Sequence, residues 1–258
     1  QYDNNSINAN YHAQSFTAPA SVSSIFSTVG DWKPTVFGNI DGYEYLNSMY
    51  FCLQGNSDNS IHMAVGTNSG ATRTQQVGGI EQGSDGIAMY YREVPSSANF
   101  ILSADVTINA YNASVLNSFG LMVRDDIYLD TVVNDTLGDY VAAGQLQLSS
   151  ASPWNCFARK NGVLTQGGTC ENAITNGDTV DLKIESNADG YACTFGQEAT
   201  VTGGFDFKLT TIDSDYVYVG MYVARNADVT FSDVKLIVDG RKVTAEPEQP
   251  SEPEQPTT

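Results

Sequence analysis

The side chains able to do chemistry are unevenly spread over the 258 residues. Histidine, the usual proton carrier near neutral pH, occurs only at His12 and His62. His62 sits in the apolar text SIHMAV, which suits a packed or surface strand residue better than a base, and His12 has no partner at any motif spacing. No GxSxG, HExxH or GxGxxG stretch is present and no Gly precedes a Lys, so a nucleophile elbow and a P-loop are excluded. Carboxylates are abundant, and the densest local group is Arg124-Asp125-Asp126, followed by Asp130, Asn134, Asp135 and Asp139. Neighbouring carboxylates at a strand end should point to opposite faces, which is poor geometry for an acid/base pair. Either one suits an oxygen ligand, so Asp125, Asp126 and Asp130, with loop carbonyls, are candidate calcium ligands. The competing account is a solvated acidic loop, since no EF-hand spacing is present, and no cofactor beyond calcium is expected.

A second chemistry lies in the aromatics. With 14 Tyr, 11 Phe and 2 Trp, the surplus of Tyr needs amphipathic places to sit. A pyranose offers one: its C–H face stacks on a ring while Asn, Asp, Arg and Lys hydrogen-bond its hydroxyls. Both tryptophans stand in turn-like text beside proline, Trp32 in Gly30-Asp31-Trp32-Lys33-Pro34 and Trp154 in Ser152-Pro153-Trp154-Asn155. Each is either an exposed platform on a loop or a plug folded over the end of the core. Trp154, Asn155, Arg159 and Lys160 together have the composition of a sugar site. Tyr128 is a candidate for the rim of a groove, and of the adjacent Tyr90 and Tyr91 one should face the core and Tyr91 is taken as the outward ring.

Charge narrows the ligands further. Twelve Lys and Arg against 30 Asp and Glu give a formal net of -18, which excludes a phosphate-backbone grip and argues against anionic membrane surfaces. No apolar run reaches the roughly 18 residues needed to cross a bilayer. The chain opens on Gln1 and ends in AEPEQPSEPEQPTT, with EPEQP twice. It is therefore expected to be a trimmed piece of a longer, secreted, cell-surface-associated protein, with residues 1–244 a folded domain and 245–258 an extended Pro/Glu linker. An N-terminal subdomain ending near Gly83 is the alternative division. Of the four cysteines, Cys156 and Cys170 flank an Asn161-Gly162 turn and are the favoured disulfide. Cys193 competes for that pairing, and buried free thiols are a third possibility.

These residues need a scaffold, and the scaffold is strands. Alternation marks Ile87 to Val94, Phe100 to Ile108, Phe119 to Arg124, Tyr140 to Leu148, Thr179 to Glu185, Tyr191 to Phe195, Tyr216 to Ala224 and Val229 to Val238. Asp189-Gly190 predicts a hairpin, and a slip in alternation at Ser232-Asp233 predicts a bulge. About twelve to fourteen short strands with little helix imply an all-β, two-sheet antiparallel β-sandwich of jelly-roll or concanavalin-like type. The first 45 residues are poorer in pattern and are expected to form loops or short helices draped over it.

The phrases GIAMYYREVPSSANFILSADVTI, SFGLMVRDDIYLD and VTFSDVKLIVDG, spread over Gly86 to Gly240, resemble the concanavalin-like β-sandwich carbohydrate-binding modules of gut Firmicutes. Such modules recur in large secreted polysaccharide-utilisation proteins. Within that group the chain is most similar to the N-terminal modules of starch-adherence proteins of the amylosome, and the family also includes modules attached to pectate lyases. The resemblance implies a non-catalytic module that binds starch or maltooligosaccharides, as a monomer tethered to further modules of the same chain. A pectin-binding module, a glycoside hydrolase or polysaccharide lyase, and a protein-binding adhesive domain stand as the alternatives.

Overall fold

In the computed structural model the described residues are 26, 28–39, 51–66, 78–81, 84–111, 116–129, 131–132, 138–147, 151–170, 175–196, 201–210, 215–239 and 241–242. They form seventeen strands: β1 (Lys33–Gly38), β2 (Phe51–Gly55), β3 (Ile61–Val65), β4 (Gly79–Ile80), β5 (Asp85–Pro95), β6 (Phe100–Tyr111), β7 (Ser118–Arg124), β8 (Thr131–Val132), β9 (Tyr140–Gln147), β10 (Ala151–Lys160), β11 (Val163–Cys170), β12 (Thr179–Ser186), β13 (Tyr191–Phe195), β14 (Val201–Phe205), β15 (Tyr216–Ala224), β16 (Ala227–Val238) and β17 (Arg241–Lys242). A nine-stranded sheet runs β11-β10-β9-β7-β15-β5-β1-β8, with β4 beside β5. An eight-stranded sheet runs β14-β13-β12-β6-β16-β3-β2, with β17 beside β16. Pairing is antiparallel except for the short parallel contact of β1 with β8. The protein is an all-β, two-sheet sandwich.

Alternation explains which faces meet. Val36, Met63, Tyr90, Leu102, Phe119, Leu121, Trp154, Met221 and Phe231 pack into one core between the sheets. The eight-stranded sheet keeps a half-exposed outer face, as in β12, where buried and partly exposed positions alternate. The nine-stranded sheet does not. All of β7 is buried, because Met89, Tyr91, Met122, Tyr140, Phe157, Tyr218 and Tyr222 on its outer face form a second cluster with Ile127 and Tyr128.

Local expectations meet the structure in informative ways. The bulge is present: the β16/β6 register shifts between Ser232 and Lys235, and Asp233 has φ 49. Asn161 and Gly162 turn with φ 51 and 77 between β10 and β11, as an Asn-Gly pair allows. The hairpin between β12 and β13 forms, but Asn187 closes it, its Oδ1 accepting the Asp189 and Gly190 N–H groups at 2.9 Å. Two expectations fail. Lys33–Gly38, expected as loop or helix, is a strand inside the nine-stranded sheet, paired with β5. The Cys156–Cys170 disulfide is replaced by Cys156–Cys193, with Cα atoms 5.8 Å apart. The hairpin register sets Cys156 against Gly168, while its core-facing side chain meets Cys193 on the opposite sheet. Residues 1–25 and the Pro/Glu segment 245–258 lie outside the described residues.

Candidate functional site

The sequence-predicted sugar cluster does not lie on a surface. Pro153, which has no N–H to give a ladder, coincides with a register shift in β10 between Ser152 and Trp154, and beyond it the strand continues. Trp154 therefore turns into the inter-sheet core, edge-on to Phe119 at 5.7 Å and tilted against Phe195 at 6.3 Å. Asn155 and Arg159 are fully buried on the other face of the same strand. Lys160 alone is exposed, its Nζ 4.4 Å over the Phe207 ring. Tyr128 is not a rim residue: it is buried against Phe37 at 5.6 Å, and its carbonyl accepts the Thr35 hydroxyl at 2.7 Å. Tyr90 faces the core and Tyr91 faces away from it, as alternation requires, yet Tyr91 is covered and edge-on to Tyr218 at 6.2 Å.

What the buried polar residues build is an ion network on the outer face of the nine-stranded sheet. Asp85, at the start of β5, takes Arg159 Nη1 on Oδ1 at 2.7 Å and both Arg159 Nη2 (2.5 Å) and Arg124 Nη1 (2.8 Å) on Oδ2. Arg124 also grips Asp126 Oδ1 at 2.7 Å, and Arg159 donates to the Gly138 carbonyl at 2.8 Å. The Tyr140 ring stacks under both guanidiniums, at 5.3 and 4.8 Å. Burial alone would push the Asp85 carboxyl up, but Arg159 and Arg124 outweigh it and hold it below its ordinary value.

In this arrangement the Asp125 and Asp126 carboxylates are engaged by protein groups. Asp126 Oδ2 accepts the Gly138 N–H at 2.7 Å and Asp125 Oδ1 accepts the Asp139 N–H at 2.8 Å, so both carboxylates turn toward one backbone stretch rather than to opposite faces. Burial, then the charges of Asp126 and Asp139, raise the Asp125 carboxyl well above its usual range. Asp130 lies outside the described residues, and among those described no three His, Cys, Asp or Glu are placed to hold a metal.

Open space is found at the other sheet, and Trp32 borders it. Val29 and Trp32 bridge through reciprocal backbone bonds of 3.0 and 2.9 Å around Gly30, whose φ of 57 makes the turn. Trp32 is 8% exposed and packs with the inter-sheet core; Arg92 Cζ stands 5.5 Å from its ring. Trp32 lines a groove of about 500 Å³ with Asp58, Asn59, Ser60, Ser232 and Asp233. Asp58 Oδ1 fixes the β2–β3 turn by accepting the Ser60 N–H at 3.0 Å and hydroxyl at 2.5 Å, which lowers its pKa. Asn59 projects from that turn with φ 67. The bulge residue Asp233 also lines a second groove of about 240 Å³, with Ser103, Asp105, Asp181, Lys183 and Thr194. Here Asp105 stands opposite Asp181 in register; burial first, then the hydrogen bond to Asp181, pushes its carboxyl up. The two carboxylates sit side by side on a sheet face, not across a cleft as a glycosidase pair would. One ring and a row of hydroxyl, amide and carboxylate groups can take sugar hydroxyls, while the excess of carboxylates disfavours an anion.

Among the described residues that were predicted, Trp32 borders a groove. Asp58, Asn59, Asp233, Asp105 and Asp181 were missed. The available signal was the polar run Asn56-Ser57-Asp58-Asn59-Ser60 between two apolar segments, a loop tip of the kind that carries function.

Comparison with known proteins agrees with this architecture. A lectin, I-B4 of Griffonia simplicifolia in its metal-free form, superposes with a TM-score of 0.50 over 79% of this chain and 99% of the lectin, at 11% identity, a likeness of fold. Pectate lyase L of Thermoclostridium stercorarium is 28% identical over 219 residues, covering 84% of this chain and 16% of that protein. Pectate disaccharide-lyase of Dickeya chrysanthemi is 23% identical over 193 residues, covering 62% of this chain and 26% of that protein. The chain thus spans 16% and 26% of the lengths of these two curated relatives. The Pectate disaccharide-lyase N-terminal domain family, PelX_N, matches residues 52–138 and 150–240, and the chain belongs to that family.

Proposed function

We propose that this chain is a non-catalytic carbohydrate-binding module that holds a neutral polysaccharide on the open side of its eight-stranded sheet, and that it serves a secreted protein whose catalytic unit lies elsewhere. The observation that carries this reading is the groove where the Trp32 ring meets the Asn59 turn and the Asp233 bulge. Membership of a family of pectate disaccharide-lyase N-terminal domains supports an accessory role and favours pectin as the ligand. Asp58, Asp105, Asp181 and Asp233 line the two grooves and the formal charge is -18, so a methyl-esterified pectin fits better than bare polygalacturonate. The same neutrality keeps starch and other α-glucans as the second ligand class.

Native affinity electrophoresis in highly esterified pectin, polygalacturonate, amylopectin and xylan, with and without EDTA, tests this. Retardation in esterified pectin or amylopectin, unaffected by EDTA, is expected. Trp32→Ala should weaken it about tenfold, the scale of one lost anchor of about 1.4 kcal/mol. Because the indole also touches the core, Asn59→Ala is the companion variant, with thermal melting to show that both fold. Retardation only in polygalacturonate would overturn the neutral-ligand reading, and release of reducing ends would overturn the non-catalytic one.

A further inference from the structure

A second chemical group lies on the outer side of the eight-stranded sheet. Phe51 and Leu53 enter the core, so Cys52 between them points away; His62 between Ile61 and Met63, and Asp228 between Ala227 and Val229, do the same. Register brings the three together, since Ala64 of β3 pairs with both Cys52 and Asp228. Cys52 Sγ lies 3.4 Å from His62 Nδ1, and His62 Nε2 lies 2.5 Å from Asp228 Oδ1. Asn109 of β6 donates to the same Asp228 oxygen at 3.2 Å and to the Thr230 hydroxyl at 2.9 Å. The imidazole is thus fixed at both nitrogens. Because sulfur and carboxylate engage opposite edges of the ring, they cannot close on one metal ion, and the group is built for proton and sulfur chemistry instead.

The electrostatics follow the geometry. The Asp228 carboxylate first, and Cys52 second, push His62 up to about 10, so the imidazole is a cation at neutral pH. The imidazolium stands within hydrogen-bond reach of the sulfur, where it can hand a proton to a departing thiolate. Among the described residues, the groups around Cys52 on its own face are His62 and Asp228 with the neutral Asn109 and Thr230; from the core side Tyr90 of β5 also feels it, its hydroxyl raised by burial and then by Cys52. Cys52 is 8% exposed and the His62 side chain 28%, which leaves an approach for a small reagent.

We propose that Cys52 is a nucleophilic thiol activated by His62 and Asp228, and that it is a site of covalent modification by small disulfides. Sγ attacks one sulfur of the incoming disulfide, and that S–S bond breaks. The departing thiolate takes the proton held on His62 Nδ1, so a mixed disulfide on Cys52 and one free thiol result, with no other oxidant needed.

The test is the rate at which folded protein reacts with hydroxyethyl disulfide across pH, with peptide mapping to locate the adduct. Reaction at Cys52 should run about tenfold or more faster at pH 6 than in the urea-unfolded chain, because His62 is placed to protonate the departing thiolate. Cys52→Ser should abolish the adduct. His62→Gln should drop the rate at pH 6 at least tenfold. Asp228→Asn, the variant to use if His62→Gln does not fold, should fall between them. Identical pH profiles for wild type and His62→Gln, or no adduct on Cys52 in folded protein, would overturn the proposal.

Discussion

Asp85→Asn should lower folding stability by about 3–5 kcal/mol, measured by urea unfolding with near-UV circular dichroism. The substitution hardly changes shape, so packing is spared and electrostatics alone is tested. Asp85 is the carboxylate that Arg124 and Arg159 share, and all three side chains are fully buried. Remove its charge and one positive charge is left without compensation, since Asp126 answers only Arg124. The sign with pH follows from the direction of the shift. Asp85 is held below its ordinary value, so its contribution is present above the unfolded carboxylate pKa of about 3.9 and is lost as pH falls through the lower folded value. The gap between wild type and variant should be steady from neutral to about pH 4 and close below that. Asp125→Asn is the internal control. Its carboxyl is already raised well above the normal range by burial and by Asp126, so a neutral amide should cost no more than about 1 kcal/mol. Equal losses for the two variants would show that the network is not held by charge.

Replacing Cys156 and Cys193 together by alanine should cost about 4 kcal/mol. Closing a loop with a sequence separation of 37 restrains the unfolded chain by that order in the chain-entropy account. The bond also joins β10 of the nine-stranded sheet to β13 of the eight-stranded sheet, so its loss opens the core at a point where Trp154 and Phe195 pack. Reducing the wild type should reproduce the double variant's unfolding midpoint. A double variant as stable as wild type would mean that the inter-sheet packing suffices alone.

The fold was legible because alternation survives wherever one face meets water. β6, β12 and β16 were bounded to within a few residues for that reason, and the β16 slip at Ser232-Asp233 could be read as a bulge. The site was less legible, and the reason is the second buried layer. On the nine-stranded sheet both faces are covered, so a Tyr, Arg or Asp on the outer face looks like a surface residue in sequence and is not one. The Arg124-Asp125-Asp126 group was read for calcium and Arg159 for a sugar, because Asp85, the carboxylate that Arg124 and Arg159 share, lies 39 and 74 residues away, beyond any local pattern. Trp154 failed for a related reason: Pro153 suggested a loop, and a register shift beside the proline let the strand continue into the core. Trp32, read as either a platform or a plug, is buried against the core and also borders a groove. Cys52 and His62 were each read singly, and only the pairing of β2, β3 and β16 gives them a common role.

The place of β16 has a mechanical consequence. This strand of 12 residues is gripped by β6 along nearly its whole length and by β3 over its first part, and the chain leaves it through the two-residue β17. A pull applied to the polypeptide beyond Lys242 would peel the two β17 pairs one at a time. It would then load the β16 ladder lengthwise, where its hydrogen bonds must yield together rather than in turn. The fold would give slightly at first and then hold.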